Sequence, residues 1–236
     1  MAGDFEEQVA GVAALNDPVR RALYFFVAGS DDAVGREQAA AAVGIQRPLA
    51  AFHLDKLADE GLLDVEFRRL SGRTGPGAGR PAKLYRRSDR QIDVSLPPRH
   101  YDLAGLLLAE AIDTAGATDG DVRAQLERAS SAYGRRLGQE ALARAGARPS
   151  RSRQREALVQ VLAEHGFDPR TTQDGIVLSN CPFHALAQRF TDLVCGMNLH
   201  LLRGMRDVLT LAADELVPTL APQPGQCCVT FCRSPA

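Results

Sequence analysis

Between Gln46 and Gly61 the apolar residues Leu49, Phe52 or His53, Leu54 and Leu57 recur at helical spacing, which predicts a helix that Gly61 stops. Pro48 fits its first turn, where a missing N–H leaves no helical bond unmade. After Gly61 the period changes. Leu62-Leu63-Asp64-Val65-Glu66-Phe67 alternates apolar and polar like a strand, and Ala82-Lys83-Leu84-Tyr85 returns as its partner across a glycine-rich loop. Upstream, Asp17 can cap and Pro18 can open a helix whose stripe is Val19, Leu23, Phe26 and Val27, ended by Gly29. Arg36 to Val43 reads as an alanine-rich helix and Gly44-Ile45 as the turn after it. Two helices joined by a glycine turn, a first helix completing the core and a hairpin behind them predict a winged helix-turn-helix domain. Residues 1 to 15 read as a short helix or arm with little to pack.

The second half has a different rhythm. Pro97-Pro98 marks the expected border between residues 1–97, the winged helix-turn-helix domain, and residues 98–236, a helical dimerisation and cysteine-rich domain. Tyr101 to Ala115 is strongly apolar and Val122 to Ala145 is a long amphipathic helix. So apolar a helix as Leu103 to Ile112 is either buried against a second subunit, giving a homodimer, or buried within its own domain. Arg148 to Arg155 reads as a solvated linker and cap, Glu156 to His165 as a helix, and Phe167 to Asn180 as a hairpin around a polar turn. From Ala185 to Leu216 one helix is expected, with or without a break at Cys195-Gly196. After the Pro222 to Gly225 turn, Cys227 to Phe231 reads as a strand that can pair with the hairpin and bring Cys227 or Cys228 near Cys181. The expected fold class is mainly α with small β: the winged domain followed by an α+β sensor and dimerisation domain.

Charge sharpens the first half. The chain of 236 residues has a formal net charge of -1, yet Arg68 to Arg90 carries eight Lys/Arg against one Asp. Arg73 and Arg80 in the glycine-rich loop can reach phosphates or a minor groove, although an ordinary solvated hairpin would also be basic. By direction on the 46–61 helix, Gln46, Arg47, Ala50, His53 and Lys56 are assigned to the exposed side and Leu49, Leu54, Leu57 and Leu62 to the core. Arg47 can give two hydrogen bonds to a guanine edge. Lys56, Arg73, Arg80 and Lys83 suit phosphates, and His53 either contacts DNA or packs inside. Two such helices about one turn of duplex apart would read a palindromic double-stranded operator. No stretch of about 18 apolar residues and no signal peptide is evident, so a cytoplasmic protein without membrane attachment is expected.

The segments DPVRRALYFFV, AAAAVGIQRPLAAFHLDKLADEGLL and GRPAKLYRR, between Asp17 and Arg87, resemble bacterial ArsR-like and DeoR-like winged-helix transcriptional regulators. In that pattern HLDKL…EGLL closes the recognition helix and GRP…Y closes the wing. Gln46-Arg47-Pro48 stands where such helices more often open with Ser or Thr. The resemblance implies a DNA-binding regulator.

All five cysteines, Cys181, Cys195, Cys227, Cys228 and Cys232, fall in the last quarter of the chain. In a reducing compartment such a group suits a metal or redox site before a disulfide frame. On one straight helix Cys181 and Cys195 would stand about 21 Å apart. Either the helix bends near Gly196 or Cys181 lies off it. Thiolates suit an iron-sulfur cluster and zinc alike, and His184, three residues after Cys181, would favour zinc. A metal-free switch at Cys227-Cys228 and plain packing of small apolar thiols are the other readings. The run NCPFHALAQRFTDLVCGMN followed by PGQCCV is similar to the sensor half of the iron-sulfur-binding repressors of Suf operons. That resemblance implies a repressor and an iron-sulfur cluster, of the four-iron four-sulfur kind, on Cys181, Cys195 and Cys227 or Cys228. Thirteen residues separate Cys181 from Cys195, where that family is expected to have twelve.

An enzyme is not expected. No GxxxxGK[ST] is present, the glycines of SGRTGPGAGRP neither follow GxGxxG nor open a helix, and GMNLHLLRGM is no GxSxG elbow. Cys181 with His184 could imitate a nucleophile and base, but no orienting acid is evident beside them.

Overall fold

The computed structural model describes residues 2–69, 81–212 and 215–232, with side chains from Phe5 onward. The chain is mixed α and β, largely helical with two small antiparallel sheets. It divides into two compact units, Met1–Val94 and Ser95–Ala236, so the division falls three residues before Pro97.

The N-terminal unit runs α1 (Ala2–Ala14), α2 (Pro18–Ala28), β1 (Val34–Gly35), α3 (Arg36–Val43), α4 (Arg47–Asp59), β2 (Leu63–Arg68) and β3 (Ala82–Arg87). The local signals explain the boundaries. The Asp17 carboxylate accepts the Arg20 N–H at 2.9 Å and so caps α2, with Pro18 in its first turn. That bond holds the Asp17 carboxyl below its usual range. Gly44 ends α3 with φ +73°, a left-handed conformation that costs glycine nothing. The sheet has the order β1-β3-β2, with Val65 opposite Tyr85 and Val34 on the other side of the same Tyr85. Leu23, Val27, Ala39, Leu54, Leu57, Leu63 and Tyr85 are among the residues of its core. α1 has more to pack than expected: Gly11 and Ala14 are buried, and the Ile92 side chain fills the space where a Cβ on Gly11 would lie.

The roll of α4 differs from the sequence reading. Ala50 and Leu54 are fully buried and His53 nearly so, whereas Leu49 and Phe52 are 44% and 65% exposed. Ala50, His53, Leu54 and Leu57 form an i, i+3, i+4, i+7 stripe. A roll that buried Leu49 would carry Lys56, one heptad on, toward the core, and an unpaired ammonium cannot be buried cheaply.

The C-terminal unit runs α5 (Tyr101–Thr118), α6 (Val122–Ala145), α7 (Arg151–Glu164), β4 (Pro169–Thr171), β5 (Gly175–Leu178), α8 (His184–Arg189), α9 (Thr191–Asp207), β6 (Val217–Leu220) and β7 (Val229–Cys232). α6 and α9 approach so closely that a Cβ on Gly134 would lie 1.9 Å from the Leu201 carbonyl oxygen, and one on Gly204 would lie 2.2 Å from that of Ser131. α5 packs through Ala104, Leu107, Ala111 and Ala115, while Leu106 and Ile112 on its other side are exposed. The helix is thus buried on one side within its own unit and apolar on the other.

Three elements depart from expectation. The basic run at 148–155 is not a linker throughout: the Ser150 hydroxyl accepts the Arg153 N–H and α7 starts at Arg151. The expected 185–216 helix is broken at Phe190, whose φ of -130° and ψ of 55° leave the helical region, rather than at Cys195-Gly196. α9 then ends at Asp207, because the Arg206 guanidinium turns onto the carbonyls of Leu211, Ala212 and Glu215 and ties down a loop leading into β6. The second sheet has the order β4-β5-β7-β6, with Ile176 opposite Phe231 and Pro218 on that residue's other side.

Candidate functional site

Of the residues assigned to DNA, Gln46 and Arg47 stand at the start of α4, and Arg47 and Lys83 line one groove. A groove of about 940 Å³ is bounded by the first residues of α3, by Arg47, and by Phe67, Pro81 and Lys83 of the hairpin. Arg47 is exposed and loosely paired with Glu37 at 3.3 Å. Gln46 stands exposed at the N-cap and makes no side-chain cap bond. Lys56 is engaged with Glu60 at 2.5 Å along the same helix. Ala50 and His53 are corrected by the roll of α4: both are buried on its inner side, and neither offers a side chain to a ligand at the surface. The Nδ1 of His53 is buried without a hydrogen-bond partner. In their place the outer side of α4 presents Leu49 and Phe52. Arg73 and Arg80 lie outside the described residues.

Lys83 is held by a carboxylate. Its ammonium lies 2.6 Å from Asp55 Oδ1, which also accepts the Tyr85 hydroxyl at 2.6 Å and Arg36 Nη2 at 3.0 Å, while Asp55 Oδ2 takes Arg36 Nη2 at 2.7 Å. Arg36 Nε in turn donates to the Tyr85 hydroxyl at 2.9 Å. Partial burial would raise the Asp55 carboxyl, but the bonds from Lys83, Tyr85 and Arg36 outweigh it and hold the group below its ordinary range. Tyr85 is pushed up to about 12, first by its burial and then by the carboxylate it faces. Arg36, raised chiefly by the bond to Tyr85, stays charged. One acid thus joins α3, α4 and β3 beneath the groove. Sequence reasoning missed it. The usable signal was Tyr85 itself, since a buried tyrosine needs a partner for its hydroxyl.

Four of the five cysteines, Cys181, Cys195, Cys227 and Cys228, come together near the first turns of α9. Cys181 lies in the turn before α8, so it is off the helix that carries Cys195. The β5–β7 pairing brings the Cys227 N–H to the Leu178 carbonyl at 2.8 Å. Asn198, one turn after Cys195 on α9, donates its Nδ2 to the Cys227 sulfur at 3.2 Å, and its Oδ1 is buried without a partner. Cys195 and Cys228 are joined as a disulfide with Cα atoms 6.4 Å apart, while Cys181 and Cys227 are free and buried. Those two thiols share a hydrogen bond. It lowers the Cys181 thiol against the opposing effect of burial, helped by the Phe183 N–H and by Arg99. The same bond, with burial, pushes the Cys227 thiol up. Cys181 is therefore the acidic member. Cys232 lies opposite Gly175, with its sulfur 3.2 Å from the Thr230 hydroxyl.

With Cys195 and Cys228 bonded, no three His, Cys, Asp or Glu side chains among the described residues stand in a metal-holding arrangement. His184, exposed at the start of α8, joins no such group. No helix among the described residues is long and apolar enough to cross a membrane. Comparison with protein-family models, with curated proteins and with solved structures finds no match.

Proposed function

We propose that the protein is a DNA-binding transcriptional regulator, acting as a repressor, whose operator affinity is set by the state of its C-terminal cysteines. The observation that carries the reading is the order of residues 18–87: helix, short strand, helix, glycine turn, helix and antiparallel hairpin, with Arg47 exposed at the start of the last helix beside the hairpin. That order supports reading the unit as a winged helix-turn-helix, a motif whose last helix enters the major groove while its hairpin follows the backbone. Arg47 reads a base. Leu49 and Phe52, exposed on α4, are suited to thymine methyl groups. A homodimer is part of the reading, supported by the exposed apolar side of α5 at Leu106 and Ile112.

For the cysteines, an iron-sulfur cluster remains the first reading. Cys227 and Cys228 are adjacent, Cys195 is bonded to Cys228, Asn198 one turn after Cys195 donates to Cys227, and Cys181 shares a hydrogen bond with Cys227; four soft thiolates suit such a cluster once the disulfide is reduced. A bound cluster would supply sensitivity to oxidants and iron supply. The protein's own part is to hold the thiols in a buried setting and to keep Cys181 acidic through Cys227 and Arg99. The disulfide favours a second reading, a thiol switch in which Cys195 and Cys228 are reduced and reoxidised.

The test is protein purified without oxygen and analysed for absorption, iron, sulfide and zinc. A broad band near about 400 nm with matching iron and sulfide supports the cluster. Zinc alone, or no metal with a disulfide that cycles and changes DNA affinity, moves the assignment away from it. If neither metal nor thiol state alters operator binding, the cysteine reading fails. Arg47→Ala is expected to lose about 1–3 kcal/mol of base discrimination, measured by competition between operator and random duplex. Loss of equal affinity for both would remove Arg47 from the reading role.

A further inference from the structure

The C-terminal unit contains a second concavity, away from the sulfurs. It is a cleft of about 470 Å³ between α7, the β4–β5 hairpin and the residues leading into β6. That volume is in the range that holds small molecules. Its apolar lining comes from Val159, Ile176 and Leu216. Its charged lining is unbalanced: among the described residues, Glu156, Asp174 and Glu215 face one cation, Arg155.

Glu215 is the deepest of these, only 7% exposed. One of its oxygens meets the Arg155 guanidinium and the other accepts the Ala212 N–H at 3.3 Å. Arg155 is itself 44% exposed, so the partner of a buried carboxylate is a side chain free to swing toward water. A buried carboxylate keeps a cation near it, because leaving it alone costs more than exchanging one partner for another. Moving Arg155 outward while another cation enters preserves that pairing. Glu156 and Asp174 at the surface would add attraction for positive charge.

We propose that this cleft binds a small organic cation with an apolar body, an amine or amidine, whose charged end replaces Arg155 on Glu215 and whose body lies on Val159, Ile176 and Leu216. The site would also bear on the cysteines. Gly175 and Ile176 pair with Cys232 and Phe231, and the Leu178 carbonyl two residues on holds the Cys227 N–H. The binding claim stands apart from the metal reading and would survive its failure.

The test uses the full-length protein and three probes of one shape, benzamidine as cation, benzyl alcohol as neutral and benzoate as anion, titrated by calorimetry. Saturable binding of benzamidine, at least about tenfold tighter than benzoate, is expected. Glu215→Gln should weaken benzamidine about tenfold or more, with circular dichroism checking that the variant folds. The exposed pair Glu156→Gln and Asp174→Asn, which has no core to disturb, should weaken it several-fold. Benzoate binding as tightly as benzamidine, no saturable binding of benzamidine, or affinity indifferent to the exposed pair would each overturn the proposal.

Discussion

The N-terminal unit fastens its helices to its sheet with a charged side chain, whereas the C-terminal unit fastens helix to helix by leaving side chains out. In the first, Asp55 of α4 gathers Arg36 of α3 with Lys83 and Tyr85 of β3, and the four polar groups satisfy one another at the edge of the core. In the second, Gly134 and Gly204 let α6 and α9 touch backbone to backbone. The two devices fail differently. A polar junction loses bonds one at a time and is softened by nearby water, while a glycine contact has no partial form because a methyl group either fits or does not. The glycine joint lies in the helix that carries Cys195, and the polar joint underlies the groove beside Arg47.

The largest expected effect is therefore Gly204→Ala. With the Ser131 carbonyl 2.2 Å from the new methyl group, α6 and α9 must separate, at a cost of about 3 kcal/mol. Urea unfolding followed by amide exchange should show the loss in α6 and α9 and none in residues 18–87. A change below about 0.5 kcal/mol would mean that the helices are not in contact there. Asp55→Asn comes next, at about 1–2 kcal/mol, since it removes a charged acceptor from three donors, one of them a fully buried tyrosine. Its loss should be confined to the N-terminal unit. Gly196→Ala reverses the sign within the same helix as Gly204. Nothing lies within 4 Å of its missing Cβ, so alanine should stabilise α9 by about 0.5–1 kcal/mol.

This contrast also marks what the sequence could reveal. α2, α3 and the hairpin were legible because their signals are local: Asp17 with Pro18, Gly44, and the alternation around Val65 and Tyr85. That Cys227 or Cys228 would come near Cys181 followed from the strand pairing, which did not say which of the two it is. The roll of α4 was not legible, since two apolar stripes compete on that helix and the choice depends on keeping Lys56 at the surface. The end of α9 was hidden because LTLAADEL, just before β6, has helical periodicity, whereas the Arg206 side chain turns onto carbonyls five to nine residues ahead. The partner of Cys195 could not be read at all. Spacing says nothing about which of the adjacent Cys227 and Cys228 faces α9.

The smallest effect, and the one that most directly separates the two joints, is their response to acid. The Asp55 carboxyl is held below its ordinary value of 3.8 by Lys83, Tyr85 and Arg36 despite its partial burial. A carboxyl lowered on folding contributes stability that is fully present above its unfolded value and is lost as pH falls through the folded one. The N-terminal unit should thus weaken as pH drops below about 3.8, and that slope should shrink in Asp55→Asn, which has no proton to take up. The α6–α9 contact at Gly134 and Gly204 involves carbonyls that do not titrate, so exchange protection at that contact should show no counterpart of the Asp55 slope. Equal acid slopes in wild type and Asp55→Asn would show that the carboxylate does not hold α4 to the sheet, and that the packing of Leu54, Leu57 and Tyr85 is sufficient by itself.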